Sequence, residues 1–300
     1  GDVYKRQIYM VSEKELINII ESNNVSKLNE LLMKGVNPNV YMHNGLTPLH
    51  VAVHSGNLQM VEILLQHGAN PNVFSIPTSK LPKRFTPLQI AVMDQKPTRY
   101  DIAKTLIKYG ANVNLYESNS DLSMGPPLFI AIARRDYATV KLLLDHGADI
   151  NANFISEGGC YFKPLGYAAL AGDIKITELL IQYGARVEES NESLYTPYHT
   201  AAFAGALDLL KFLFNIYPAP NIVGCRRSTP IFSAVVSNSE NFEVVKYLVE
   251  AGADVNFLDI MGNSVLFYAI KQKKDRVASY LAEHGARIIF RGKEMTNKNI

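Results

Sequence analysis

The side chains most able to do chemistry in this sequence of 300 residues are seven histidines and two cysteines. Near neutral pH, imidazole serves as a general base or a metal ligand, and a cysteine thiolate serves as a nucleophile or a metal ligand. Cys160 and Cys225 lie far apart, with no Cys-x-x-Cys pair and no His-x-x-x-His partner. The spacing therefore predicts no zinc site and no other metal site.

Motifs that bind nucleotides or activate a nucleophile are missing from the sequence. It contains no phosphate-binding Gly-x-x-x-x-Gly-Lys, no dinucleotide-binding Gly-x-Gly-x-x-Gly and no nucleophile elbow Gly-x-Ser-x-Gly. We therefore predict that the chain is not an enzyme, has no catalytic residues and uses no cofactor.

Charge and cysteine content limit the partners and the compartment. Thirty basic and 28 acidic side chains give a net charge of +2, whereas nucleic-acid binding needs a concentrated basic footprint. Small basic clusters such as Arg226-Arg227 are interpreted as solvated surface. The sequence has no apolar run of about 18 residues, and we expect no signal peptide. Two cysteines are too few for a disulfide-stapled secreted scaffold. We expect an intracellular, cytoplasmic protein that neither binds nucleic acid nor inserts into a membrane.

A repeated sequence pattern indicates which structural elements carry the histidines and cysteines. A turn-and-helix start recurs as Thr47-Pro48-Leu49-His50, Thr86-Pro87-Leu88-Gln89, Pro126-Pro127-Leu128-Phe129, Lys163-Pro164-Leu165-Gly166, Thr196-Pro197-Tyr198-His199, Thr229-Pro230-Ile231-Phe232 and Ser264-Val265-Leu266-Phe267. A Gly-Ala pair recurs in step at Gly68-Ala69, Gly110-Ala111, Gly147-Ala148, Gly184-Ala185, Gly252-Ala253 and Gly285-Ala286. Self-similarity of this kind is typical of a solenoid.

Each repeat encodes two helices. Proline in the first helical turn costs no hydrogen bond, and the preceding threonine can cap the helix start. Small residues such as Ala52 let first helices approach closely. Apolar residues at helical spacing, such as Val61, Leu64 and Leu65, give the second helix a buried face. The glycine then ends that helix in a left-handed conformation.

These motifs resemble the ankyrin-repeat family, whose unit of about 33 residues is a β-turn and two antiparallel helices with a Thr-Pro-Leu-His signature. The resemblance covers roughly residues 12–290. It implies an all-α solenoid of stacked helix-turn-helix units with β-hairpin finger loops. We expect about seven repeats preceded by an N-terminal helical cap.

The resemblance also implies structural roles for most histidines and places both cysteines in finger loops. His50 and His199 belong to the signature, where the family uses the imidazole to tie the turn together. Three others directly precede helix-ending glycines, namely His67, His146 and His284. Cys160 and Cys225 fall in fingers two units apart. A disulfide needs Cα atoms within about 7 Å, and neighbouring units stack about 10 Å apart on helix-packing dimensions. No disulfide is expected.

The ends of the chain are interpreted separately from the repeats. Residues 1–9 are interpreted as a non-native leader, because Asp2 to Gln7 is the translation of GAT GTG TAT AAG AGA CAG. That string resembles the end of a transposase adapter used in preparing sequencing libraries; an ordinary N-terminal segment is the alternative. We expect the array over residues 10–292 and a frayed tail or truncation point at residues 293–300.

The resemblance implies a protein-binding module, an adaptor or scaffold that is monomeric by itself and binds a partner protein of unknown identity on its concave face and finger loops. Aromatic, apolar and polar side chains at positions that usually face solvent are the expected contacts. They are Phe85, Phe162 and Tyr195 at the finger tips, and His54, Met93, Arg134, Leu170 and Phe203 on the first helices. The alternative for the aromatic rings is local burial under the fingers.

Two other functions stay open. The array is alternatively the recognition arm of a longer protein, such as a ubiquitin-ligase substrate adaptor, a kinase or a channel. It is alternatively an effector that a pathogen or symbiont delivers into a host cell.

Overall fold

The computed structural model describes residues 13–42, 44–79, 84–117, 125–155, 160–190 and 193–295. The expected leader, residues 1–9, lies outside the described residues, as do residues 296–300 of the expected tail. The chain divides into two compact units, Gly1–Asp149 and Ile150–Ile300. Both are built from stacked pairs of short helices.

In its described part, the first unit holds four helix pairs. They are α1 (Glu13–Glu21) with α2 (Val25–Met33), α3 (Pro48–Ser55) with α4 (Leu58–Gln66), α5 (Pro87–Met93) with α6 (Arg99–Lys108), and α7 (Pro127–Ala133) with α8 (Tyr137–Asp145). The first helices of the pairs stack on one another in order, and the second helices form a parallel layer. Ala52, Ala91 and Ala131 are fully buried between the stacked first helices. Small side chains there permit the close approach that the sequence pattern predicts.

The second unit begins with a finger hairpin. It consists of β1 (Phe154–Ile155) and β2 (Tyr161–Phe162), paired antiparallel with Phe154 opposite Phe162. Four helix pairs follow: α9 (Pro164–Leu170) with α10 (Ile174–Gln182), α11 (Pro197–Ala204) with α12 (Leu207–Ile216), α13 (Pro230–Val236) with α14 (Phe242–Glu250), and α15 (Val265–Lys271) with α16 (Asp275–Glu283). A 3₁₀ turn at Cys225–Arg227 precedes α13, and a hairpin of β3 (Ile289–Phe290) and β4 (Lys293–Glu294) follows α16. Helices α9, α11, α13 and α15 stack in order as the inner layer.

A buried histidine fixes the start of α11 to the next finger. His199 Nε2 lies 3.0 Å from the Ser228 carbonyl oxygen, and Nδ1 lies 2.7 Å from Thr196 Oγ1. Because a carbonyl only accepts, Nε2 carries the proton and donates. Burial lowers the pKa of His199 to about 4. Gly224 leaves room for the ring, since a Cβ there would lie 2.5 Å from His199 Cε1.

The same arrangement recurs in the first unit. His50 Nε2 donates to the Phe85 carbonyl at 3.0 Å, and Nδ1 accepts from the Thr47 amide at 3.2 Å. Gln89 takes the equivalent place on α5 with an amide: it accepts from the Thr86 amide and donates to the Gly125 carbonyl. The structural role expected for His50 and His199 is confirmed.

A ladder of asparagines, which the sequence analysis missed, joins successive repeats within each unit. Asn72 donates from Nδ2 to the Gly110 carbonyl at 2.9 Å and accepts from the Asn112 amide at 2.7 Å. One side chain thus satisfies a carbonyl at the end of the next second helix and an amide of the segment that follows. The same pair of bonds is made by Asn39, Asn114, Asn221 and Asn256.

Replacing one rung of this ladder should destabilise the repeat stack. We expect Asn72→Ala to lower the free energy of unfolding by about 1–2 kcal/mol, because it removes two hydrogen bonds between repeats. Urea unfolding followed by circular dichroism measures the effect. Asn18→Ala, at an exposed position of α1, is the control and should change it by less than about 0.5 kcal/mol. Equal effects of the two changes would contradict the role of the ladder.

Candidate functional site

Three apolar side chains form a row on the inner helices of the second unit. Leu170, Phe203 and Val236 occupy the same place in their repeats, near the carboxyl ends of α9, α11 and α13. Phe203 is 44% exposed and Val236 38% exposed, while Leu170 is half-buried. Exposing large apolar groups on adjacent stacked helices gains nothing for folding. The row is therefore a candidate contact surface.

Aromatic rings from two fingers form the wall beside this row. The rings of Phe162 and Tyr195 stack with centroids 4.9 Å apart and planes 18° from parallel. Backbone hydrogen bonds hold the fingers together. The Tyr161 amide donates to the Ser193 carbonyl at 2.8 Å, and the Tyr195 amide donates to the Tyr161 carbonyl at 2.9 Å. The two rings are half-buried against each other and keep one side towards the inner helices.

The row and the wall enclose a cavity of about 610 Å³. We call it the groove; its apolar lining is Phe162, Leu170, Tyr195, Phe203, Phe232 and Val236. Its polar lining includes Asp259 and Tyr268, whose hydroxyl donates to Asp259 Oδ2 at 2.6 Å. Burial and this carboxylate raise the pKa of Tyr268, so its hydroxyl keeps the proton and remains a donor. The groove thus combines apolar walls with fixed polar groups, as binding sites commonly do.

Cys160 and Cys225 form a disulfide across the finger bases, so the expectation of no disulfide is wrong. Their Cα atoms lie 5.9 Å apart. The 10 Å spacing used in that prediction applies to helix axes, whereas successive fingers are hydrogen-bonded to one another, with the segment at Leu194 between those of Tyr161 and Cys225. The Cys225 amide donates to the Leu194 carbonyl at 2.9 Å, and the 3₁₀ turn that begins at Cys225 brings its side chain towards Cys160. Cys225 also lines the cavity.

Half of the contact residues predicted from the sequence lie together in this groove. They are Phe162, Leu170, Tyr195 and Phe203. The expected exposure of Phe85 is wrong, because the residue is only 7% exposed. The Ser75 amide and His50 Nε2 donate to the Phe85 carbonyl, and the Phe85 amide donates to Ser75 Oγ, which folds that finger segment inward. Local burial, the alternative reading of the rings, holds at this position.

The other three predicted contacts belong to the first unit. His54 is exposed on α3, Met93 is half-buried at the end of α5, and Arg134 is half-buried just after α7. The groove of the second unit contains none of them.

Several residues that line the groove were not among the contact residues predicted from the sequence. Phe232, Asp259 and Tyr268 belong to repeats that contributed no candidate. Val236 carried a usable signal, because it occupies the same position after its proline as Leu170 and Phe203. Asp259 and Tyr268 carried none, since their pairing depends on how a finger turns back onto the next inner helix.

Within the described ranges, no group of three or more His, Cys, Asp and Glu side chains is arranged to hold a metal ion. In the same part of the chain, no helix is long and apolar enough to cross a bilayer.

Comparison with known proteins identifies the class. A family model described as ankyrin repeats matches three times, at residues 16–117, 128–222 and 216–291. These matches cover most of the chain, which therefore belongs to the ankyrin-repeat family. Ankyrin repeats are protein-interaction modules.

Individual relatives cover only part of the chain. It is 32% identical over 110 residues to the transient receptor potential cation channel subfamily A member 1 of Drosophila melanogaster, covering 35% of this chain and 9% of the relative. It is 39% identical over 83 residues to the nuclear factor NF-kappa-B p105 subunit of Gallus gallus, covering 26% and 8%. The chain thus spans less than a tenth of the length of these two relatives.

A solved structure confirms the fold. The ankyrin repeat domain of Bcl-3, described as a unique member of the IkappaB protein family, superimposes with a TM-score of 0.61. The alignment covers 78% of this chain and 97% of that domain at 23% identity. The all-α ankyrin solenoid expected from the sequence is confirmed.

Proposed function

We propose that the second unit binds a partner protein in the groove and that the chain acts as a non-catalytic adaptor or scaffold. The observation that carries the proposal is the row of Leu170, Phe203 and Val236, apolar and accessible inside a cavity of about 610 Å³. Apolar concave surfaces of this kind mark partner sites, and aromatic side chains are over-represented among binding hot spots.

The framework around the groove supports binding to a preformed surface. His199 joins the start of α11 to the finger at Ser228, and backbone bonds join the fingers at Tyr161 and Tyr195. The Cys160–Cys225 disulfide adds a covalent link on the same side. Because the walls are already held, a partner loses little free energy in ordering them.

Replacing the most exposed ring of the row tests the proposal. We expect Phe203→Ser to weaken partner binding about tenfold or more, as for a central apolar contact. Quantitative capture of cell proteins on immobilised chain, followed by affinity measurement with the purified captured protein, provides the readout. The midpoint of thermal unfolding should change little, since Phe203 is 44% exposed.

Ile216→Ser is the matched control, because Ile216 is also 44% exposed but lies at the end of the outer helix α12. It should leave binding unchanged. Equal losses from both substitutions, or loss of the unfolding transition in Phe203→Ser, would overturn the assignment of the groove.

A second candidate function is the recognition arm of a longer protein. The observation that favours it is partial coverage, since the chain matches 9% of a cation channel subunit and 8% of a nuclear factor subunit. Sequencing the gene outward from both ends tests it: an open reading frame that continues into another domain supports this candidate, and flanking stop codons contradict it.

Three further properties are proposed with the adaptor function. We propose a chain that is monomeric by itself, binds no nucleic acid and works in the cytoplasm. A cytoplasmic location requires that the Cys160–Cys225 disulfide form in a reducing compartment, where disulfides are rare. Counting free thiols in protein isolated from cells under alkylating conditions tests the location.

A further inference from the structure

The tips of three successive fingers in the second unit form one continuous surface. The Ile260 amide donates to the Arg226 carbonyl at 3.1 Å, which joins the first tip to the second. The Gly292 amide donates to the Gly262 carbonyl at 2.8 Å, which joins the second tip to the β3–β4 hairpin. We call this the tip surface, defined by Arg226, Arg227, Ile260, Met261, Arg291 and Lys293.

The tip surface combines exposed apolar and basic side chains. Ile260 is 58% exposed and Met261 is 60% exposed, and all four basic residues are exposed. Basic groups thus flank the apolar pair on both sides. Of the acids beside the tips, Asp259 accepts from the Tyr268 hydroxyl and from the backbone amides of Met261 and Asn263. Glu294 lies 4.0 Å from Arg287.

Two of the arginines are held over aromatic rings. The Arg227 guanidinium lies 5.7 Å from the centre of the Phe257 ring, and that of Arg291 lies 5.1 Å from the centre of the Phe290 ring. Such cation–π contacts orient the guanidinium groups. The positive charges are therefore placed by the fold.

The backbone at these tips is unfavourable for arginine. The φ angles of Arg226, Arg227 and Arg291 are 57°, 52° and 49°, in the left-handed region that favours glycine and asparagine. Arg291 and Gly292 form the two-residue link of a hairpin, where Asn-Gly is the usual sequence. Long cationic side chains at positions where they cost stability point to a role in ligand binding.

From this arrangement we propose that the tip surface binds an acidic peptide segment that also carries apolar side chains. The inference rests on the proposed function, since Arg226 lines the groove as well as the tip surface. A bound segment places apolar side chains on Ile260, Met261 and the row in the groove. Its carboxylates lie opposite the arginines and Lys293, because opposite charges across an interface favour association.

Two matched peptide libraries displayed on phage test the inference. One contains short random peptides of Asp, Glu, Leu, Phe and Ser, and the other has Lys and Arg in place of Asp and Glu. We expect the wild-type chain to enrich only the acidic library. Binding of the enriched peptides should weaken as salt is raised, because salt screens exposed charges.

Charge reversal on two different tips provides the matched variants. Arg227→Glu/Arg291→Glu should weaken binding of the enriched peptides about tenfold or more. Lys175→Glu/Lys246→Glu changes the net charge equally at exposed positions of the outer helices α10 and α14, and should leave binding unchanged. Thermal unfolding of both variants checks that each remains folded.

The other outcomes separate this inference from the proposed function. Equal enrichment from both libraries, with binding weakened by Phe203→Ser but not by Arg227→Glu/Arg291→Glu, overturns the inference and leaves the groove in place. Binding to phosphatidylserine vesicles without enrichment of acidic peptides assigns the tip surface to lipid and also overturns it. No enrichment from either library overturns both the inference and peptide binding by the groove.

Discussion

Acidification from pH 7 to about pH 4.5 should destabilise both units by roughly 2–3 kcal/mol each, because each contains a buried neutral histidine. Burial lowers the pKa of His50 and of His199 from 6.5 to about 4. In the unfolded chain both imidazoles take up protons below about pH 6.5. Their contribution is therefore complete above that pH and is lost as the pH falls towards 4.

The chain itself suggests the matched control for this prediction. Gln89 makes both capping bonds with an amide that does not titrate in this range. His50→Gln/His199→Gln should therefore keep the bonds and remove most of the pH dependence. Urea unfolding midpoints measured from pH 7 to pH 4.5 compare the two proteins. The same decline in both would show that other groups cause the acid sensitivity.

Reduction of the Cys160–Cys225 disulfide should lower the free energy of unfolding of the second unit by about 4 kcal/mol on the chain-entropy model. The two residues are separated by 65 positions, so the cross-link closes a long loop in the unfolded chain. Both cysteines are at least 95% buried, with exposures of 5% and 2%. We expect a fall in the unfolding midpoint when dithiothreitol is added.

Cys160→Ala/Cys225→Ala provides the control, since dithiothreitol should not change its midpoint. Thiol counting on unfolded, unreduced wild-type protein supplies an independent reading and should find no free thiol among the two cysteines. Two free thiols, or a wild-type midpoint that dithiothreitol does not change, would contradict the cross-link.

The sequence predicts the helices because their signals are local. Thr196 and Pro197 start α11, and a glycine with positive φ follows the second helix of most repeats, as at Gly184. Cap, proline and glycine act within one turn of chain. The period of the repeat then determines that the helices stack, without knowledge of any contact between repeats.

The features that the sequence did not predict are contacts between repeats. Asn72 binds a glycine carbonyl of the next repeat. Asparagine recurs four residues after the helix-ending glycine, as at Asn39, Asn72 and Asn114, but this local pattern does not show which group of the next repeat it binds. The position of Phe85 just before Thr86 predicts an exposed ring at a finger tip. Hydrogen bonds of its backbone amide and carbonyl with Ser75 instead fold this segment inward. The disulfide depends on the distance between fingers, which helix-packing dimensions overestimate.

The residues of the candidate site were also predictable only where a local, repeated pattern marks them. Leu170 and Phe203 were predictable because they repeat at one position of the inner helix, on the surface that the family presents to partners. Asp259 and Tyr268 were not, because their hydrogen bond joins a finger to the following inner helix. Periodicity identifies which positions face a groove, and only the folded chain shows which polar groups line it.

Hydrogen–deuterium exchange of the chain with and without its captured partner shows whether the groove is the surface that binds protein. We expect slower exchange on binding in the last turns of α11 and α13 and in the finger segment around Tyr195, which together line the groove. The outer helices α12 and α14 should be unchanged. Protection confined to those outer helices, with the groove unaffected, would contradict the claim that the groove of the second unit is the protein-binding surface.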